Sequence, residues 1–414
     1  MTTKEKQQFT IYTIILLFNV LFFITKNVNL IFLSNIFLSL IIVLKCKFSF
    51  FSLKTILINY ILSPCFFQYN FSHSYGILES YGTTINFFEM NFIILIYNLI
   101  WYFLLSNSKL LEYEKKLINN KPKISKTTAY IFCIIAIIST TIRFQDILFP
   151  GNYDRFTSLL PGNGWNHVAM LSSIFAFSFL KKDFIVNITY LFVGFEFLSH
   201  YERVDIIGLL FFCIIFILNN IPTILKKKKN IILIIIIFIV TFGGLSYIED
   251  KRSNSSTNNL IEKVLIQKTA TDVAYTYNVA IEDVKKNELY YGKTYISYLE
   301  GAIPLRSSKY DVEYLLNEKY HTAGGNYLLN EPIINFGFIG IVIFAFAEYL
   351  LLTFILNNKY KDYCYYVYGI ITLSTFRIVW YGLSYVETTI LFILPAFYIL
   401  SIISNKLLKE KTNA

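Results

Sequence analysis

One apolar run after another in this chain reaches the roughly 17–25 residues that a helix needs to cross a bilayer's hydrocarbon core. A soluble core has no use for so many long runs. Composition agrees: 55% of the 414 residues are hydrophobic, 18% aromatic and only 15% charged. Soluble domains average roughly 45–50% apolar and 25% charged. The fold class expected is all-α: a polytopic integral membrane protein of about twelve transmembrane helices. Spans are expected at 9–25, 30–44, 48–67, 87–106, 128–145, 165–180, 184–199, 205–221, 231–247, 333–357, 364–383 and 386–404.

The net charge of +10 could suggest a nucleic-acid partner, but its placement argues against one. Lysines cluster between apolar runs, at Lys45 and Lys47, Lys181 and Lys182, Lys226 to Lys229, and Lys406 and Lys409. Counting from an inner N-terminus, the segments 1–8, 45–47, 107–127, 181–183, 222–230, 358–363 and 405–414 each carry at least two lysines. The short outer segments carry almost none, which is the positive-inside pattern. Both termini are therefore expected in the cytoplasm of a multi-pass protein. The basic start Met1–Lys6 is followed by 9–25 without a small-residue cleavage site, which reads as a retained first helix. All five cysteines lie in or beside apolar runs, so no disulfide framework is expected.

The organisation expected is 1–247 for the first nine spans, 248–332 for one large extracytoplasmic loop, and 333–414 for three further spans and a tail. Within the loop, Val273, Tyr277, Ala280, Ile281 and Val284 recur at helical spacing and predict an amphipathic helix on the membrane surface or on the bundle. A short helix is expected near 312–319.

Six of the 37 basic residues are arginines: Arg143, Arg155, Arg203, Arg252, Arg306 and Arg377. All fall in outer segments or near the outer ends of spans, while every cytoplasmic cation is a lysine. Topology does not require this sorting, because both residues satisfy the positive-inside rule. The planar guanidinium fork grips phosphate bidentately where lysine offers a point charge. An outward-facing anion site is one reading. Buried ion pairs are the other, since Arg203 neighbours Glu202 and Asp205 and Arg155 follows Asp154. Arg377 stands inside an apolar span, where a charge costs about 2.5–3.5 kcal/mol on insertion scales.

His321, beside the flexible pair Gly324-Gly325, is a candidate general base, and Glu331, before Pro332 at a helix mouth, is another. Glu348 reads as a partner inside the bundle. Gly337 and Gly340 read as small residues for close helix packing. The remaining histidines lack metal-ligand spacing, so no metal and no cofactor is expected.

The run Tyr291-Gly-Lys-Thr-Tyr-Ile-Ser-Tyr-Leu-Glu-Gly-Ala-Ile-Pro304, then Gly324-Gly-Asn-Tyr-Leu-Leu-Asn-Glu331 and Ile334-Asn-Phe-Gly-Phe-Ile-Gly340, resembles the Wzy class of polysaccharide repeat-unit polymerases. The resemblance implies a GT-C-like bundle in the bacterial inner membrane and a glycosyltransferase serving O-antigen or capsule assembly. It implies an undecaprenyl-diphosphate-linked oligosaccharide as partner, transferred onto the next repeat unit, with a chain-length regulator as a further partner. On that reading Arg143, Arg155, Arg203, Arg306 and Arg377 hold diphosphate or acceptor, Asn326 contacts substrate, and His321 or Glu331 activates the acceptor hydroxyl. The family pattern places Arg directly after Ile-Pro, whereas Leu305 intervenes before Arg306 here. An O-antigen ligase shares the fold and a loop histidine. A lipid-linked oligosaccharide flippase is the rival from another class, but few intramembrane charges line any path for it.

Overall fold

The computed structural model describes residues 3–73, 76–144, 164–176, 183–200, 202–213, 215–216, 264–301, 311–322 and 325–413, and no strand occurs among them. The first half comprises α1 (Thr3–Thr25), α2 (Asn29–Cys46), α3 (Phe50–Tyr60), α4 (Leu62–Phe71), α5 (Phe87–Asn107), α6 (Leu110–Asn119), α7 (Lys126–Arg143), α8 (Gly164–Ala176), α9 (Phe184–Ser199) and α10 (Arg203–Cys213). The second half comprises α11 (Lys268–Lys286), α12 (Lys293–Gly301), α13 (Val312–Tyr320), α14 (Asn330–Asn357), α15 (Lys361–Leu373), α16 (Thr375–Tyr381), α17 (Ser384–Thr388) and α18 (Leu394–Asn413).

Among the described residues, six helical segments are long and apolar enough to cross a membrane: Asn29–Cys46, Phe50–Phe71, Phe87–Asn107, Lys126–Arg143, Asn330–Asn357 and Val386–Lys406. Thr10–Thr25 and Phe184–Ser199 are shorter apolar helices. The expected span 231–247 lies outside the described residues, and 165–180 and 205–221 are described only in part. The expected span 364–383 is two helices, α15 and α16. The Thr375 hydroxyl donates back to the carbonyls of Ile371 and Thr372, competing for groups that would otherwise continue the helix. Pro64, which cannot donate to the carbonyl of Tyr60, similarly marks the bend between α3 and α4.

Around a buried apolar core, large apolar side chains also face outward and amides are buried inside. Ile339 and Leu191 are each 71% exposed, while Asn35, Asn91 and Asn98 are buried. With no water to compete, side-chain amides tie helices together. The Asn35 amide donates to the Asn91 carbonyl at 2.8 Å, and Asn98 donates to Asn59 at 2.9 Å and to Asn35 at 3.2 Å. These bonds bind α2, α3 and α5. Glu348 is indeed an interior partner: its Oε1 lies 2.8 Å from Lys54 Nζ, and Tyr97 donates to its Oε2 at 2.6 Å. The Lys54 ammonium also stands 3.7 Å over the Trp101 ring, a cation–π contact that helps stabilise it away from water.

The amphipathic helix expected near 273–284 is α11, docked on the bundle against α4, α5, α14 and α16. The Tyr277 hydroxyl donates to the Met90 carbonyl, and Asn278 accepts from the Asn86 backbone at 2.8 Å. The short helix expected near 312–319 is α13, whose Asp311 caps its own first turn. It is pinned to α11 by Lys319 and Tyr320, which both reach Asp283. On the lysine-rich side, α6 buries Glu114, which accepts the Phe50 N–H at 3.0 Å and the Tyr368 hydroxyl at 2.5 Å.

Candidate functional site

Charged groups gather where α7 ends, α8 and α10 begin, and α16 passes. Arg377 on α16 meets Asp205 in the first turn of α10 as a fork: Nε to Oδ1 at 2.8 Å and Nη2 to Oδ2 at 2.7 Å. Asn166 on α8 donates to Asp205 Oδ2 at 3.0 Å and accepts from Arg143 Nε at 2.9 Å. Arg143, the last residue of α7, donates from Nη2 to Glu202 at 2.8 Å. Both guanidinium groups and both carboxylates are buried. An unpaired charge would be costly here, and each bond also fixes a planar fork in one orientation.

The approach of α10 that delivers Asp205 depends on Gly208. A Cβ there would stand 2.2 Å from the Leu373 carbonyl oxygen, so only glycine permits this closeness of α10 and α15. His167, beside Asn166, lies within electrostatic reach of Arg377 and Asp205 and hydrogen-bonds Thr389 through Nδ1.

A second cluster joins the segments that carry the family resemblance. The Thr294 hydroxyl donates to Glu331 Oε1 at 2.8 Å, and Asn335 Nδ2 donates to the Thr294 oxygen at 2.6 Å and to the Glu331 carbonyl at 2.8 Å. The Gly292 N–H donates to Asn335 Oδ1 at 2.8 Å. Gly337, at φ +63° and ψ −152°, then breaks α14, a conformation that L side chains rarely adopt. Beyond the break Gly340 lies so close to the Pro332 carbonyl oxygen that a Cβ would stand 2.0 Å from it. The two glycines thus serve a fold-back within α14, where packing between separate helices had been expected.

A strap links the two clusters. Asn326 N–H donates to the Trp380 carbonyl and Leu328 N–H to the Val379 carbonyl, so 326–328 runs along α16, which carries Arg377, before leading into Glu331. Gly325, at φ +90°, begins this strap. Asn330, which follows the strap and opens α14, is fully buried, yet neither atom of its amide has a hydrogen-bond partner among the described residues. An unsatisfied buried amide is destabilising, and such groups mark places kept polar for another purpose.

Of the expected site residues, Arg143, Arg377, Glu331 and Asn326 are buried in this region. His321 is exposed at the C-terminal end of α13 at φ +52°, and its side chain makes no hydrogen bond among the described residues. The backbone of Arg203 opens α10, but its side chain, like the whole of Arg155 and Arg306, lies outside the described residues. Sequence reasoning did not single out Asn166, His167, Gly208, Thr294 or Asn330. Asn166 and His167 signalled only polarity at a span end, Thr294 and Asn330 only their place in the resembling runs, and Gly208 gave no signal.

Neither a family model, nor a curated protein, nor a solved structure matches this chain.

Proposed function

We propose that the chain is a bacterial inner-membrane glycosyltransferase that polymerises lipid-linked oligosaccharide repeat units on the outer face. In this reading the chain has about twelve spans, both termini in the cytoplasm and the loop 248–332 outside. The observation that carries the reading is the cluster of Gly292, Thr294, Glu331 and Asn335. Residues quoted for the polymerase resemblance, some forty positions apart, are joined there by hydrogen bonds and tied by one strap to the helix bearing Arg377.

The donor is the growing chain on undecaprenyl diphosphate, and the acceptor is a sugar hydroxyl of the incoming unit. The acceptor oxygen attacks the anomeric carbon, the bond from that carbon to the diphosphate oxygen breaks, and the lipid diphosphate leaves with the electron pair. Of the two candidate bases, Glu331 is the better placed to take the hydroxyl proton, since His321 is exposed on the far helix of the loop. Arg143 and Arg377 face the charge that develops on the leaving diphosphate. Fixed donors in a water-poor site are commonly the largest catalytic contribution. Asp205, Glu202 and Asn166 are positioning residues that hold the two forks. The buried amide of Asn330 is available to a sugar hydroxyl.

Deleting the gene tests this directly. Surface polysaccharide on a gel should collapse from a ladder to a single repeat unit. An unchanged ladder overturns the proposal. Complete loss of surface repeat units indicates a flippase instead, and polymer that forms but stays off the lipid A core indicates a ligase.

A further inference from the structure

The loop helix α12 packs on α14 and α17 with its polarity reversed. Its inner face is polar: Thr294 and Ser297, one helical turn apart, are buried, and Thr294 bonds Glu331 and Asn335. Its outer face is apolar: Ile296 is 61% and Leu299 62% exposed, and Tyr291, just before the helix, is 72% exposed. Its neighbour in the loop, α13, is built the other way. There Val312 and Leu316 are buried, while Asn317, Glu318 and Lys319 are exposed together with Tyr314. In water a short helix gains by turning its apolar side chains inward, as α13 does. A helix that turns its hydroxyls inward and its apolar side chains outward is matched to apolar surroundings.

What those surroundings are follows from where the face leads. The Tyr290 and Tyr291 N–H groups donate to the Ile334 and Asn335 carbonyls of α14, and the Tyr295 ring stacks with Phe336. The next residues of α14, Phe338 and Ile339, are exposed on a helix long and apolar enough to cross a membrane. The outer face of α12 thus continues the lipid-facing side of α14. Lys293 and Glu300, near its two ends, are exposed and can reach headgroups past their apolar neighbours.

We infer that α12 lies along the bilayer interface, with Ile296 and Leu299 sunk among the acyl chains and Tyr291 at headgroup level. Interfacial helices bury their apolar face about 5–10 Å into the headgroup–acyl boundary. Such an anchor holds the inner face, with Thr294, Glu331 and Asn335, at the depth of lipid headgroups. The lipid contact rests on the polarity of α12 and its continuity with α14. Only the choice of the outer leaflet rests on the proposed topology.

The test places a spin label by Ile296→Cys or Leu299→Cys in the purified full-length protein in phosphatidylcholine nanodiscs, with Glu318→Cys as the water-side control. Cys46, Cys65, Cys133 and Cys364 are buried, and the unsubstituted chain sets the labelling background. Collisions with oxygen relative to a water-soluble nickel complex should be severalfold more frequent at 296 and 299 than at 318. Labels at 296 and 299 that meet the nickel complex as often as 318 lie in water, and labels shielded from both reagents are covered by protein. Either result overturns the inference. Leu299→Asp checks it without a label: Tm in nanodiscs should fall, whereas Leu299→Phe should leave it unchanged. A wild-type Tm for Leu299→Asp also overturns the inference.

Discussion

Arg377 and Asp205, separated by 172 positions, meet as a two-bond fork at 2.8 and 2.7 Å and join α16 to α10 in the interior of the bundle. Removing one partner leaves the other charge buried alone, which costs about 3–5 kcal/mol. Arg377→Ala should therefore lower both thermal stability and polymer formation. The double variant Arg377→Met, Asp205→Leu replaces the pair with apolar groups and should recover most of the stability without recovering polymer. Arg377→Lys keeps the charge but loses the fork, and polymer length should fall although the protein accumulates normally. Unfolding in detergent, with gels of surface polysaccharide, reads both quantities.

Gly208→Ala should be disruptive despite adding a single methyl. The new Cβ would meet the Leu373 carbonyl at 2.2 Å, so α10 must move away from α15 and draw Asp205 from Arg377. Overpacking of this kind costs about 1–3 kcal/mol. Thermal unfolding measures the loss, and activity should fall with it.

Much of this architecture was legible in the sequence, and the limits have physical causes. The hydropathy runs locate Asn29–Cys46, Phe87–Asn107 and Asn330–Asn357 because burial in lipid demands unbroken apolar length. The spacing of Val273 to Val284 reveals α11 because one face must pack. The partners of Arg143 and Arg377 were not legible, since Asn166, Glu202 and Asp205 come from other helices and only tertiary packing brings them in. The interruption at Ser374 was hidden for a related reason: Thr375 reads as one more tolerated residue until its hydroxyl bonds back to the carbonyls before it. Gly337 and Gly340 were visible as small residues, but the positive φ of Gly337 and the close approach of Gly340 to the Pro332 carbonyl are backbone facts.

Asn330→Leu separates function from stability. Its buried amide has no partner among the described residues, so a leucine of the same branched shape removes an unsatisfied polar group and should leave the protein as stable or more so. Polymer formation should nonetheless drop, about tenfold if the amide contributes one hydrogen bond of about 1.4 kcal/mol to the transition state. Parallel losses in stability and activity would instead make Asn330 a packing residue.

Glu114 supplies a pH signature on the lysine-rich side. Burial pushes its carboxyl up to about 7 from the ordinary value of 4.5, against the lowering effect of the Tyr368 hydroxyl and the Phe50 N–H. The folded protein thus keeps this proton through a window, about pH 4.5 to 7, in which the unfolded chain loses it. Stability then falls as pH rises through that window, by about 3 kcal/mol in all, and is level above it. Glu114→Gln can still accept both hydrogen bonds and should abolish this slope, as unfolding titrations between pH 4 and 8 would reveal.

The most direct test is reconstitution. Purified protein in liposomes is supplied with undecaprenyl-diphosphate-linked repeat units, and the glycan products and the freed lipid diphosphate are counted together. A ladder of lipid-linked oligomers, with one lipid diphosphate released for each bond formed and none from Glu331→Gln, is the predicted result. Repeat units that cross the bilayer unjoined, with no lipid diphosphate released, would contradict it.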